Sequence, residues 1–353
     1  MAAMNTLLLS LSLALSGSVA AQSTATLRGV DVYRSAVLTP EKARMLFGDR
    51  LREIVELRNK HLPVPTQKAE ALRKQLEKEA RVMAGIAHVE LSVSEYFTSV
   101  DHAMYATFDV VDEVDRERMA FLPNPNRVLR DPDGLLAAWK QYYDMGSALS
   151  RRGQMSVDRP DCPGFYCLWG GPTPELAALQ KKFVAGAAVK DAELRVVLTH
   201  EADGDKRAAA LFVLSYGTRG EKVVEACHGA LKDPSSAVRG AALQILADVI
   251  NHRKDLRVDI DKILPLLDDP VDVVRGKTMG LLVPMVDNEP QRRKMLAAAP
   301  RLVDLLKLKQ PDNHDLAFTV LGMISRKNIG RRDYAGWQTW AVSAAAGKSE
   351  MER

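Results

Sequence analysis

Apolar positions in the second half of the chain recur at helical spacing, and the pattern itself then repeats. Val224, Cys227 and Leu231, then Ile260, Ile263 and Leu267, then Leu302, Leu305 and Leu306 each mark the buried stripe of an amphipathic helix. An Asp-Pro turn follows the first two stripes. A second helix comes next, burying Val238, Ala241, Ala242, Ile245 and Val249 in its clearest copy. Setting Leu231 on Leu267, Asp233 on Asp269, Pro234 on Pro270, Val238 on Val274 and Arg239 on Arg275 gives an offset of thirty-six residues. Looser copies lie thirty-two residues earlier, at Arg207 to Leu214, and thirty-nine later, at His314 to Leu321. Self-similarity at such a period predicts a helical solenoid, whose units are stable only against their neighbours. Asp233 and Asp269 are expected to cap the second helices, with Pro234 and Pro270 at their first positions.

A Val-Arg pair opening the second helix after an Asp-containing turn resembles the HEAT family of repeats, over roughly residues 190–326. The resemblance implies that Arg207, Arg239 and Arg275 pack between repeats and bond to a neighbouring turn. The copies depart from the pattern at several places. Lys206 replaces Val in the first, Asn313 and His314 replace Val-Arg in the last, and Lys277 falls where Ala241 sits. Pro284 should kink or end the third copy's second helix.

Ahead of the repeats, Thr26 to Val37 alternates as a strand. Thr39-Pro40-Glu41 opens a helix reaching about Lys60, a second amphipathic helix covers Thr66 to Met83, and Val89 to Val111 reads as a two-stranded hairpin. Strand, two helices and a hairpin ending Val110-Val-Asp-Glu113 resemble the POTRA-type domain of exported bacterial proteins over residues 26–113. The glycines expected before the second strand are replaced by Ser94-Glu95-Tyr96-Phe97. The resemblance implies grasping other polypeptides by strand addition. A generic small α+β domain fits the same pattern.

The fold expected is mainly α, a short HEAT-like α-solenoid preceded by a small α+β domain. Residues 1–21 read as a signal peptide and 22–113 as the α+β domain. Residues 114–173 are expected to hold a linker, a capping helix from Gly134 to Leu149 and the Cys162/Cys167 loop. The repeat domain spans 174–346, starting with a helix from Glu175 to Ala187, and 347–353 form a fraying tail. Trp337 and Trp340, three apart on the last helix, are expected to hide the outer side of the terminal repeat, with a ligand-stacking pair as the alternative.

The signal rests on an apolar run from Thr6 to Leu15 followed by small residues around Ala20 and Ala21, too short to span a bilayer. It implies a periplasmic or secreted protein. In that compartment Cys162 and Cys167 are expected to pair, while Cys227 on an apolar stripe reads as a buried free thiol. Aromatic residues are only 6%, which suits Ala- and Leu-rich helices. The formal charge of +4 comes without a basic run, which argues against nucleic acid as a partner.

No nucleophile elbow, phosphate loop or paired-cysteine metal motif is present, and no cofactor or metal is expected. His200-Glu201-Ala-Asp203-Gly-Asp205 reads as a solvated turn. In Gln310-Pro-Asp-Asn-His-Asp315, Asp312 or Asn313 is expected to cap the last repeat's helix, leaving His314 and Asn313 as candidate site residues. The expectation is an exported, non-enzymatic scaffold of the bacterial envelope, binding another protein or an envelope polymer on the solenoid's concave face. The alternatives are an enzyme or ligand carrier on the same scaffold, as in the bilin lyases such repeats resemble, and an envelope assembly factor.

Overall fold

A computed structural model describes residues 24–97, 101–155, 162–171 and 173–347. The signal peptide expected at 1–21 lies outside them, as does the tail beyond Gly347.

The first domain runs β1 (Thr26–Tyr33), α1 (Pro40–Arg58), α2 (Pro63–Arg81), β2 (Ile86–Phe97), β3 (His102–Asp112). Thr39 caps α1 by accepting from the Lys42 amide at 3.3 Å. Helix α2 starts earlier than expected, because Pro63 and Pro65 fit a first turn that needs no amide donors. The sheet order is β1-β3-β2, with β1 parallel and β2 antiparallel to the central β3. Alternation gives the sheet two unlike faces. Val89, Leu91, Val93, Ala106, Phe108 and Val110 meet Phe47, Leu51, Ile54 and Leu76 of the two helices in one core. Asp31, Glu90, Ser92, Thr107 and Asp109 fall on the other face.

The outer edge of β2 is closed by side chains. Arg58, Arg73 and Arg81 donate to the carbonyls of Val93, Leu91 and Val89 at 2.5, 2.6 and 3.0 Å, and the Leu91 amide donates to Glu77 Oε2 at 3.2 Å. Groups that would otherwise template another strand are already used.

From β3 the chain makes a 3₁₀ segment (Glu113–Met119) and then an extended strap to Arg130. Helix α3 (Leu135–Arg151) follows, its first turn held by Asp131, which accepts from the amides of Leu136 and Ala137 at 2.9 Å. Trp139 and Tyr142 of α3 are buried against α4 (Pro174–Val189), whereas the neighbouring Tyr143 is 51% exposed. The repeats then proceed as α5 (Asp191–His200) with α6 (Gly204–Leu214) and α7 (Gly220–Ala230) with α8 (Ser236–His252). The third second helix is α9 (Asp272–Leu282), and α10 (Glu289–Ala297), α11 (Ala299–Leu306) and α12 (Pro311–Ser325) complete the stack before α13 (Tyr334–Ala345).

Several expectations are corrected. The first helix of the third repeat is absent: Ile260–Lys262 and Leu264–Asp268 form two 3₁₀ turns, because Pro265 cannot supply an amide inside an α-helix. Pro234 and Pro270 lie in the turn ahead of α8 and α9, not at their first positions. By contrast, α9 stops at Leu282 as Pro284 leads one to expect, with Pro284 itself in a 3₁₀ turn. Helix α10 carries no clear apolar stripe and was not foreseen.

Candidate interaction surface

A ladder of buried Arg–Asp pairs joins the repeats. Arg207 donates through Nε and Nη2 to the carboxylate of Asp233 at 2.9 and 2.6 Å, and through Nη1 to the carbonyls of Glu201 and Ala202. Arg239 does the same one repeat on. Its Nε and Nη2 meet Asp269 at 2.7 and 2.9 Å, and its Nη1 meets the carbonyls of Asp233 and Pro234. Each aspartate also accepts the amide two residues on, Ser235 for Asp233 and Val271 for Asp269, so it organises the turn rather than capping the helix. Bidentate guanidinium–carboxylate geometry suits such burial, because four of the five donors of each fork find an acceptor.

Six residues separate Glu201 from Arg207, Asp233 from Arg239 and Asp269 from Arg275; six before His314 stands Leu308. The fourth repeat therefore lacks the ladder's carboxylate, and the first domain supplies it. Arg275 donates through Nη2 to Asp109 Oδ1 of β3 at 2.5 Å, while its Nη1 still bonds the Asp269 carbonyl at 2.8 Å. Asp109 Oδ2 accepts the Asp272 amide at 3.1 Å. The turn amides fall to Asp31 of β1, whose Oδ2 accepts from Lys309 and Gln310 at 2.6 and 2.9 Å. Two sheet aspartates thus divide the work that one turn aspartate does in each earlier repeat. Tyr33 completes the joint, donating to the Leu267 carbonyl at 3.1 Å with its ring 4.1 Å from the Arg275 guanidinium.

Burial, outweighing the attraction of Arg275, pushes the Asp109 carboxyl up to about 7. Burial likewise raises Asp31 above the usual carboxylate range, against the opposing pull of the two amides.

At the other end of the ladder, Glu201 is buried, while His200, Asp203 and Asp205 around it are exposed as expected of a solvated turn. Its Oε1 accepts the Asp203 amide at 3.1 Å, and its Oε2 accepts the Leu129 amide of the strap at 2.7 Å. The strap also donates from Leu122 to the Lys232 carbonyl, exchanges two backbone bonds with His200 and Ala202 through Arg127, and lays Phe121 4.1 Å from the Arg239 guanidinium. It therefore runs along the turn edge from the sheet domain back to the start of the stack.

Two grooves flank the strap, each of about 660 Å³. One lies between α5 and α7, floored by Leu198, Ala226 and Ala230 and walled by Leu122, Pro123 and Pro125. Its rim carries Arg195, bonded to Asp191 and the Lys222 carbonyl, and the pair Lys222–Glu225. The second opens where the third repeat has 3₁₀ turns in place of a helix, and includes Phe121, Pro265, Leu266 and Pro300.

The remaining candidates do not gather around either groove. Asn313 is buried and donates to Gln310 Oε1, and Gln310, not Asp312 or Asn313, caps α12. Gln310 Nε2 also donates to the Tyr96 hydroxyl of β2 at 2.6 Å. His314 Nδ1 lies 2.6 Å from the Leu306 carbonyl. Trp337 is fully buried, donates from its indole to the Gly330 carbonyl at 3.1 Å, and packs edge-to-face on Trp340 at 5.7 Å. Cys162 and Cys167 are joined by a disulfide, and Cys227 is a buried thiol whose burial pushes it up. Tyr166 of the disulfide loop stacks on Phe212, and the Phe165 amide donates to the Ser215 carbonyl at 2.8 Å, so the loop covers the first repeat. No group of three metal-ligating side chains occurs among the described residues. No helix among the described residues is long and apolar enough to cross a membrane.

Sequence reasoning missed the two sheet aspartates. The signal available was Leu308 at the ladder position, which leaves Arg275 without a partner in its own stack.

Comparison with curated proteins and with solved structures returns no match. The family model for HEAT repeats matches residues 192–281, from α5 through most of α9 and including all three ladder arginines. Those residues match the HEAT-repeat model, and the helices around them, α4 to α13, form a HEAT-like helical solenoid.

Proposed function

We propose that this protein is an exported, non-enzymatic scaffold of the bacterial envelope that binds another protein or an envelope polymer along its solenoid. The observation that carries this reading is the groove between α5 and α7, set in a HEAT stack and walled on one side by the strap. Rigid walls lower the ordering cost of binding, and apolar floors with paired ions at the rim suit a polypeptide surface. The export signal and the Cys162–Cys167 bond support the extracytoplasmic address. The sealed edge of β2 weighs against strand addition there, the mode a POTRA-like domain would use.

The test places a photocrosslinking residue at Ala226, in the groove, and at Gln75, on α2 away from it, in the native host. The reading expects a discrete adduct from the periplasmic or secreted fraction at Ala226 and none at Gln75. Equal labelling at both positions, or retention of the protein in the cytoplasm, overturns it.

A further inference from the structure

The joint between sheet domain and solenoid is unlike the joints between repeats. Each domain has its own apolar core, and of the sheet's residues only Tyr33 enters the solenoid's. Its bonds are polar: Asp109 on Arg275 and the Asp272 amide, Asp31 on the Lys309 and Gln310 amides, Arg34 with Asp268, and Gln310 with Tyr96. Its polar groups are also incompletely matched. Ser92 Oγ and Thr107 Oγ1 on the sheet, and Arg275 Nε and Asn313 Oδ1 on the solenoid, are buried without a hydrogen-bond partner. Ser92 and Thr107 face each other across the strands, as do Glu90 and Asp109. A contact that buries charge, leaves donors unmet and adds little apolar area gains little from desolvation, unlike the joints between α6, α8 and α9, where the buried Arg–Asp pairs stand beside a shared apolar core.

From this geometry we propose that the sheet domain is a releasable end-cap. It is held in two carboxylate sockets that open together, and its release uncovers the free end of the arginine ladder while both domains stay folded. The sockets are coupled because Asp31 and Asp109 stand on parallel neighbouring strands of one sheet, with Asp31 beside Thr107 in register. One cannot withdraw from the 309–310 turn while the other stays seated on Arg275 without breaking that sheet. Release exposes Arg275 and the amides of Asp272, Lys309 and Gln310, a surface that reads carboxylates.

Native-state hydrogen exchange on the full chain tests the proposal, following the amides of Asp272, Lys309 and Gln310 against Phe108 in β3 and Leu246 in α8. The expected result is that the three socket amides exchange together through an opening that leaves Phe108 and Leu246 protected. Exchange of all five only through global unfolding overturns the proposal. An Asp31→Ala variant removes the acceptor of Lys309 and Gln310 but touches nothing at Asp272. Coupled sockets require the Asp272 amide to speed up by about tenfold or more, since a bond to a charged acceptor contributes ~1.5 kcal/mol or more. An unchanged Asp272 amide overturns the coupling.

Discussion

Arg275 Nη2 and Asp109 Oδ1 meet at 2.5 Å across 166 residues of sequence, both fully buried, at the point where the fourth repeat has Leu308 and no carboxylate. The pair continues a series that Arg207–Asp233 and Arg239–Asp269 begin within the repeats.

Removing one member of this pair leaves the other charge buried alone. Asp109→Ala should destabilise the docked state by about 3–5 kcal/mol, and Arg275→Ala by a similar amount. The double variant should cost clearly less than the sum of the two, because the second substitution removes a charge already unpaired. Urea unfolding of the four proteins of the cycle gives the coupling directly, and additive losses would show that the two side chains act independently.

Docking should depend on pH through the same residues. Asp109 is raised to about 7 from an unfolded value near 3.8, and Asp31 and Glu90 are raised as well, each chiefly by burial. The docked state therefore holds protons that the free groups release, and its stability falls as pH rises from about 4 to about 7. Facing Asp109 are Arg275 and Asp272 from α9, Glu90 from β2 and Tyr33 from β1. His88, lowered mainly by burial, acts in the opposite sense below its ordinary value of 6.5. Thermal unfolding across this range should show the fall in wild type and a flatter profile in Asp109→Asn.

The disulfide closes a loop of six residues counting both cysteines, Cys162 to Cys167. Replacing both by Ser should cost only roughly 2 kcal/mol. Loosening should concentrate where the loop touches the first repeat, at Phe165 and Ser215. Hydrogen exchange comparing the Ser215 region with α12 checks this, and uniform destabilisation of both would contradict it.

The arginines along β2 should keep the protein from associating through its sheet. Converting Arg58, Arg73 and Arg81 to Ala frees the carbonyls of Val93, Leu91 and Val89. Light scattering should then report concentration-dependent association absent from the wild type. A triple variant that remains monodisperse would mean that the edge is protected some other way.

The repeat was legible in sequence because its physics is local. Apolar spacing, the six-residue step from acid to arginine and the Pro-bearing turns all lie within one unit, and so did the order of strands and helices in the first domain. Pro265 was visible too, but its effect in replacing a helix by 3₁₀ turns depended on how much packing the neighbours could offer in compensation. The contacts of Asp31, Asp109, Phe121 and Leu129 with the ladder were not legible. No spacing rule links residues more than seventy positions apart, and an aspartate in a strand reads as solvated until a guanidinium is placed against it. Gln310 as the cap of α12 was missed because its side chain is longer than the usual capping residues.

The socket at Lys309 and Gln310 has a consequence for how the chain is made. A tandem array of this kind ordinarily matures by spreading from neighbour to neighbour. Here Asp31 leaves the ribosome early and must wait for partners almost three hundred positions downstream. The final annealing step is therefore slow and non-local. A polypeptide truncated before Lys309 would carry Asp31 as an orphaned carboxylate on the sheet, a defect that a quality-control protease could read as a sign of incomplete synthesis.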